Sequence, residues 1–210
     1  EHLSQSRYFT TGCRGVSYYE APPEYNGECQ ERILTNTTDA RLIAVDALTG
    51  ERCSSFGDQG EVNLTIGMGN DPRIANFQTS PPGIVSGNAV VGGWVLDNRS
   101  VGPPSGVVRA FNAINGELAW AWDMGRPGIT TEPLRGEVYT RGTPNVWSLF
   151  SVDEELGLIF APTGNETPDY FGGLRMEVSD QYASSVVAID GTSGNIRWSY
   201  QTVHHDIWDY

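Results

Sequence analysis

The sequence is poor in positive charge and in long apolar runs. Its 210 residues include 13 Lys and Arg against 26 Asp and Glu, a net charge of −13, and a field of that sign repels phosphate backbones and anionic lipid headgroups. Nucleic acid is therefore excluded as an expected partner. A membrane helix needs roughly eighteen uninterrupted apolar residues, and the best run, 83–96, is broken by Ser86 and Asn88. We expect any export signal or membrane anchor to lie outside this segment.

Cysteine is also scarce, and the composition favours strands over helices. The three cysteines, Cys13, Cys29 and Cys53, have spacings that match no zinc pattern. One disulfide with one unpaired thiol, which suits an oxidising compartment, and three reduced thiols fit the sequence equally. With 25 Gly, 12 Pro and only 19% charged residues, the chain is expected to make many turns, so we predict an all-β fold.

One pattern occurs three times along the chain, as RLIAVDALTG at 41–50, VRAFNAING at 108–116 and VAIDGTSG at 187–194. Each copy predicts a strand, a turn closed by an Asx side chain and a glycine, and a return strand. Trp120 and Trp198 lie four residues after the last glycine of the second and third copies, whereas Ser54 takes this position in the first. Repeats this far apart indicate the large blades of a β-propeller, with a β-sandwich as the alternative.

The densest polar cluster is the final segment, 201–210, which follows the third hairpin. Its two His and two Asp side chains suggest a hydrolytic zinc or iron site. However, His204 and His205 are adjacent, and on an extended segment they point to opposite sides. A purely structural role, in which these side chains hydrogen-bond a loop to its blade, is a third interpretation.

Further candidates lie where predicted strands end. Asp97, Asn165 and Asp209 carry oxygen atoms and would suit a hard cation of the calcium type if they converge. For Asn165, a plain turn is the alternative. Three other residues have both a binding and a structural interpretation. Arg14 and Thr79 could contact an anion, or they could be a solvated Arg and a strand-capping Thr. Trp147 could be a stacking platform or a core residue.

Several segments resemble the membrane-bound quinoprotein dehydrogenases that use pyrroloquinoline quinone (PQQ), above all WSYQTVHHDIWD at 198–209. The others are CRGVSYY at 13–19, DARLIAVD at 39–46, TSPP at 79–82 and PTGNETPD at 162–169. The likeness is greatest to the glucose, quinate and shikimate dehydrogenase group. It implies an eight-bladed β-propeller of the quinoprotein alcohol dehydrogenase type with the quinone in its central funnel. Residues 1–210 would then be about half of one PQQ-binding domain.

The resemblance also implies roles for individual residues. Asp209 matches the general base that removes the proton of the substrate hydroxyl as hydride leaves, and it also lies beside the metal. Asp97 and Asn165 match further ligands of a Ca²⁺ or Mg²⁺ ion that polarises the quinone carbonyl, with Asn98 and Thr167 as additions. Trp147 matches the indole on which the quinone stacks, and Arg14 and Thr79 match groups that hold its carboxylates.

The expected activity is oxidation of a sugar or cyclic polyol at the periplasmic face of the bacterial inner membrane, with electrons passed to ubiquinone. D-Glucose is the first expected substrate and quinate or shikimate the second. Tyr19 stands where the glucose enzymes carry His, which bears on sugar specificity, and only Cys13 precedes Arg14, which argues against the methanol branch. The alternatives are a non-catalytic propeller scaffold and a metal hydrolase built on His204 and His205.

Overall fold

The computed structural model describes residues 15–70, 77–78, 80–95, 100–204 and 206–208. Its strands are β1 (Ser17–Glu20), β2 (Glu31–Asn36), β3 (Arg41–Asp46), β4 (Glu61–Asn63), β5 (Phe77–Gln78), β6 (Gly83–Val85), β7 (Asn88–Val91), β8 (Trp94–Val95), β9 (Val108–Asn112), β10 (Leu118–Trp122), β11 (Ser151–Asp153), β12 (Leu158–Pro162), β13 (Ser185–Asp190) and β14 (Ile196–Gln201). One helical turn, α1 (Glu177–Asp180), and a 3₁₀ turn, Gly172–Leu174, complete the described elements. The all-β prediction is confirmed. Within these ranges no helix has the length and apolar character needed to cross a membrane.

The strands form three four-stranded sheets, each fully antiparallel, and one two-stranded sheet. The first sheet has the order β1-β2-β3-β4, the second β10-β9-β7-β6 and the third β11-β12-β13-β14, while β5 pairs with β8. Each four-stranded sheet is built mainly from strands that follow one another in sequence, so short hairpins make most of the connections.

The three sequence repeats form the same turn. In each, a side-chain oxygen of the Asx residue accepts hydrogen bonds from the backbone N–H groups two and three residues ahead, at 2.8–3.2 Å. The glycine that closes each turn has a φ of +74°, a conformation that costs glycine little. The Asx residues are Asp46, Asn112 and Asp190, and the glycines are Gly50, Gly116 and Gly194. The predicted turn chemistry is therefore confirmed in all three copies.

The return strand predicted directly after the first copy is wrong. There the chain makes only a single bridge, between Val45 and Arg52, and β3 pairs instead with β4, about ten residues further on. Just beyond this bridge, the Cys53 N–H donates to the Ala44 carbonyl of β3 at 3.1 Å, and Cys53 forms a disulfide with Cys29. The disulfide also decides between the two cysteine states that the sequence left open, while Cys13 lies outside the described residues.

The second sheet lies between the other two and is apolar on both faces. Along β7, Val91 packs into a cluster with Leu34 and Leu42 of the first sheet. Its neighbour Val90 points the opposite way, into a cluster with Ile159 and Val187 of the third sheet. Because side chains alternate across a strand, a sheet with two buried faces needs apolar residues at successive positions. This accounts for the continuous apolar run of β7.

Trp120 connects the second sheet to the third. Its indole Nε1 donates a hydrogen bond of 3.0 Å to the carbonyl of Gly191. A Cβ atom at Gly194 would lie 2.7 Å from the Trp120 ring, so only glycine admits this contact. Trp198, at the corresponding position of the third sheet, is 46% exposed. The second sheet thus packs on the third by placing its Trp120 against the hairpin of the third sheet.

Candidate active site

Connections from all three sheets meet near one another beside the ends of β2, β6 and β11. The Asn36 side chain, at the end of β2, donates a 2.7 Å hydrogen bond to the carbonyl of Ser80, which precedes β6. The Ser80 hydroxyl in turn donates to the carbonyl of Trp147, which precedes β11, at 2.9 Å. We call this end of the molecule the site end. Ser80 joins the connections of the three sheets through these two hydrogen bonds. It was not identified from the sequence, where its only sign is its position next to Thr79.

Trp147 presents an aromatic surface at the site end. The side chain is 47% exposed, so its interpretation as a core residue is wrong. One edge of the indole rests on Gly164, where a Cβ atom would lie 3.0 Å from Nε1. The segment is fixed by a 2.8 Å hydrogen bond from the Gly164 N–H to the carbonyl of Asn145. A supported and half-exposed indole can stack against a planar ring.

Asn165 follows Gly164 and is almost fully buried, with 9% of its surface exposed. Its Oδ1 accepts a 3.1 Å hydrogen bond from the Ser184 hydroxyl, while its Nδ2 is buried with no partner among the described residues. Because the two ends of an amide have the same shape, a half-turn would let Nδ2 donate to Ser184. Oδ1 would then occupy the unpartnered position, where it could bind a hard cation.

The loop that carries Asn165 is held rigidly by its neighbours. Glu166 is 2% exposed, and its carboxylate accepts hydrogen bonds from the Met176 N–H at 2.8 Å and from the Ser179 hydroxyl. Burial raises the pKa of Glu166 above its ordinary value, although both hydrogen bonds oppose the shift. Thr167 is also buried, and its N–H donates to the carbonyl of Gly142 at 3.1 Å. This loop is therefore not a plain surface turn.

The start of the final segment is held by the connection that precedes β13. The Gln201 amide donates to the carbonyls of Asp180 and Ala183, each at 3.0 Å, and buried Asp206 accepts the Trp208 N–H at 2.9 Å. His204 Nδ1 lies 2.7 Å from Gln201 Oε1 on the exposed surface. Over the described part of the chain, no group of three or more His, Cys, Asp and Glu side chains is arranged to hold a metal.

The remaining candidates, Arg14, Thr79, Asp97, Asn98, His205 and Asp209, lie outside the described residues, and their roles stay predictions. The neighbours of two of them do meet. A Cβ atom at Gly15 would lie 3.0 Å from Pro81, and the Gly15 carbonyl accepts the Thr35 hydroxyl at 3.2 Å. The chain beside Arg14 thus contacts the chain beside Thr79.

Tyr19 packs away from these groups. It contacts the apolar cluster between the first and second sheets, and its hydroxyl is the nearest group to the Cβ position of Gly87, at 3.8 Å. Gly87 lies in the turn at the end of β6 opposite to Ser80. Burial raises the pKa of Tyr19, which Arg32 partly offsets. A role for Tyr19 in choosing the substrate stays a prediction.

Comparison with protein families gives a match over the whole chain. Residues 1–210 match the family described as "PQQ: Glucose/ethanol/alcohol dehydrogenase, beta-propeller domain". Among solved structures, the quinohemoprotein alcohol dehydrogenase ADHIIG from Pseudomonas putida HK5 aligns with a TM-score of 0.61 and 26% identity. The alignment covers 85% of this chain and 26% of that one. The predicted partial propeller is therefore confirmed.

Three curated relatives differ in their named substrates. The glycerol dehydrogenase large subunit of Gluconobacter oxydans is 44% identical over 96% of this chain and 27% of its own length. The quinate/shikimate dehydrogenase (quinone) of Acinetobacter baylyi is 39% identical over 94% of this chain and 27% of its own. The quinoprotein glucose dehydrogenase of Escherichia coli is 41% identical over 94% and 25%. The chain spans about a quarter of the length of these relatives.

Proposed function

Because the chain belongs to the PQQ-dependent glucose/ethanol/alcohol dehydrogenase family, we propose that its complete protein oxidises a CH–OH group of a polyhydroxylated substrate with PQQ as hydride acceptor. The observation that carries the proposal is the half-exposed Trp147 indole supported by Gly164, directly beside the buried amide of Asn165. That residues 1–210 form about half of the propeller domain stays a prediction.

The described residues fit the cofactor and its metal. PQQ is a planar fused-ring molecule, and the exposed surface of Trp147 is suited to stack on it. Asn165 has a buried amide atom without a described partner, as expected of a side chain whose oxygen ligates an ion. In the proposed site, Asp97 and Asp209 add carboxylates, which makes an all-oxygen donor set that suits Ca²⁺ or Mg²⁺. Arg14 and Thr79 would hold the carboxylates of the quinone.

In the proposed reaction, the protein positions the substrate and moves one proton. When bound, PQQ accepts hydride from the substrate carbon, and the cation makes the quinone a better acceptor. The Asp209 carboxylate takes the proton of the substrate hydroxyl. Trp147 would stack against the quinone. Glu166 and Ser184 hold the loop of Asn165, whose side-chain oxygen would bind the cation. Rigid support of this kind suits a site that depends on geometry.

The substrate class is inferred from the relatives. Glycerol, quinate, shikimate and glucose all carry several hydroxyl groups, so a polyhydroxylated substrate fits every named relative. We keep D-glucose as the first substrate to test and quinate or shikimate as the second, and the Gluconobacter relative adds glycerol. Ubiquinone as electron acceptor and a location at the periplasmic face of the inner membrane complete the proposal. The word quinone in one relative's name supports this electron acceptor.

The experiment is dye-linked oxidation by the complete protein, prepared without cofactor and then given PQQ with Ca²⁺ or Mg²⁺. D-Glucose, quinate and glycerol are assayed side by side. We expect activity that depends on both additions, and the substrate with the highest kcat/KM identifies the specificity. Quinone binding without activity on any of the three would mean a different alcohol. A protein that binds no quinone would be the non-catalytic scaffold.

A matched pair of variants tests the base. Asp209→Asn should bind PQQ normally and lose turnover by at least about 1,000-fold, because the hydroxyl proton then has no acceptor. Asp58→Asn removes an exposed carboxylate from the first sheet's loop and should leave turnover unchanged. Near-normal turnover in Asp209→Asn would remove Asp209 from this role.

A further inference from the structure

Arg175 is a buried cation between two loops of the site end. Only 4% of its side chain is exposed. Its Nη2 donates hydrogen bonds to the carbonyl of Asp169, at 3.1 Å, and to the carbonyl of Asp206. One guanidinium nitrogen therefore connects two backbone segments that are 37 residues apart in sequence.

Both segments lead to proposed site residues. Asp169 ends the loop that begins at Pro162 and carries Asn165, and Asp206 lies three residues before Asp209. Glu166, in the first loop, holds α1 through Met176 and Ser179, and Arg175 directly precedes Met176. The contacts thus form a continuous path from the loop of Asn165 to the segment of Asp209.

The hydrogen bonds of Arg175 matter for the backbone segments that they connect. Arg175 Nη1 lies 3.5 Å from the Asp180 carboxylate, but among the described residues Arg175 Nε has no hydrogen-bond partner. A buried charge that is incompletely paired contributes little to stability compared with an apolar side chain of similar size. Its contacts instead fix the separation of two backbone segments, which a planar guanidinium does well.

We propose that Arg175 is a positioning residue that sets the place of the backbone at Asp206, three residues before Asp209 in the sequence, relative to the loop of Asn165. The proposal rests on the proposed function, in which Asp209 is the base. Arg175 touches neither quinone nor substrate in this role, and it acts through the backbone carbonyl of Asp206. Its removal should therefore reduce turnover while leaving the binding of the quinone at Trp147 nearly unchanged.

The first test compares Arg175→Lys and Arg175→Met with Arg109→Met in the complete protein. Arg109 is a matched control because it is 3% exposed and also donates to two carbonyls, those of Leu64 and Ile66, between the first and second sheets. We expect Arg175→Met to lower kcat by about 100-fold, the cost of misplacing a reacting group by about 1 Å. Arg175→Lys keeps the positive charge but lacks the several N–H donors of the guanidinium, so its kcat should fall less and the protein should still fold.

PQQ affinity is measured in the same proteins from quenching of tryptophan fluorescence in the cofactor-free form. In the Arg175 variants it should change by less than about threefold, since a positioning role acts on the transition state. Arg109→Met should leave kcat unchanged in the folded protein, because among the described residues Arg109 contacts neither the loop of Asn165 nor the segment of Asp206. Loss of PQQ affinity in proportion to kcat, or an equal loss of kcat in Arg109→Met, would overturn the proposal.

A double-mutant cycle with Asp209→Glu separates positioning from general damage. If Arg175 acts through Asp209, Arg175→Met should cost less in the Asp209→Glu background, where the carboxylate is already displaced. Equal costs in both backgrounds would contradict the proposal. If the unmodified protein binds no PQQ, the proposed function itself is wrong, and the inference falls with it.

Discussion

Trp120 and Trp147 both pack against a glycine, yet one is enclosed and the other is presented to the surface. Trp120 is 1% exposed, and its indole lies against Gly194 with Nε1 bonded to the carbonyl of Gly191. Trp147 is 47% exposed, and only one edge of its indole rests on Gly164. The same pairing of a large ring with the smallest residue therefore serves two purposes.

The difference depends on how much of the ring is covered. The third sheet encloses Trp120, so burial of its apolar surface stabilises the stacking of two sheets. At Trp147 the glycine supports the ring from one edge and leaves the rest for a ligand. The exposed part of the Trp147 ring lies close to Asn165, where the proposed site needs a stacking surface. We therefore expect substitution of Trp120 to lower the stability of the protein and substitution of Trp147 to lower its affinity for the cofactor.

The largest effect should come from Trp120→Ala. Removing a fully buried Trp leaves a cavity between the second and third sheets and should lower the free energy of unfolding by about 3–5 kcal/mol. Thermal and denaturant unfolding of the complete protein measure the loss. Trp120→Phe, which keeps a large ring at the same position, should lose less. A loss of less than about 1 kcal/mol in Trp120→Ala would show that the buried indole is not the main contact between the second and third sheets.

Trp147→Ala should have the next largest effect, on PQQ affinity rather than on stability. Loss of one aromatic stacking contact costs about 1–3 kcal/mol, or about 5- to 150-fold in Kd. The unfolding free energy should change by less than about 1 kcal/mol, because the ring is half exposed. Titration of the cofactor-free protein with PQQ, followed by absorbance, gives the affinity, and Trp147→Phe should recover part of it. Unchanged affinity in Trp147→Ala would mean that the quinone does not stack there.

The parts of the fold that the sequence predicts are those set by local chemistry. The turns at Asp46, Asn112 and Asp190 follow from an Asx side chain and a glycine a few residues apart, and all three form as expected. The return strand predicted directly after Gly50 does not form, because β3 pairs with β4, about ten residues further along the chain. The local pattern does not show which later segment will pair with a strand.

The candidate site divides in the same way. Asn165 was a candidate as an oxygen-bearing residue at a predicted strand end and Trp147 as a stacking platform, and the structure places both at the site end. Ser184 and Arg175 were not found, because their contacts with Asn165 and Asp206 join residues 19 and 31 positions apart. No periodicity links positions so separated, and a single sequence gives no sign that a particular Arg is buried. The long-range supports of a site need the folded chain.

The smallest effects should come from substituting the glycines against which the two Trp rings pack, Gly194 and Gly164. Gly194→Ala places a Cβ atom 2.7 Å from Trp120 at a φ of +74°, so we expect a stability loss of more than about 1 kcal/mol and no change in PQQ affinity. Gly164→Ala brings a Cβ atom to 3.0 Å from Trp147 Nε1, which the exposed indole can relieve by a small tilt. The tilt should weaken PQQ binding by about threefold to tenfold, with stability kept. Equal loss of stability in both variants would mean that Trp147 is held as tightly as Trp120. The distinction between the buried ring of Trp120 and the half-exposed ring of Trp147 would then be wrong.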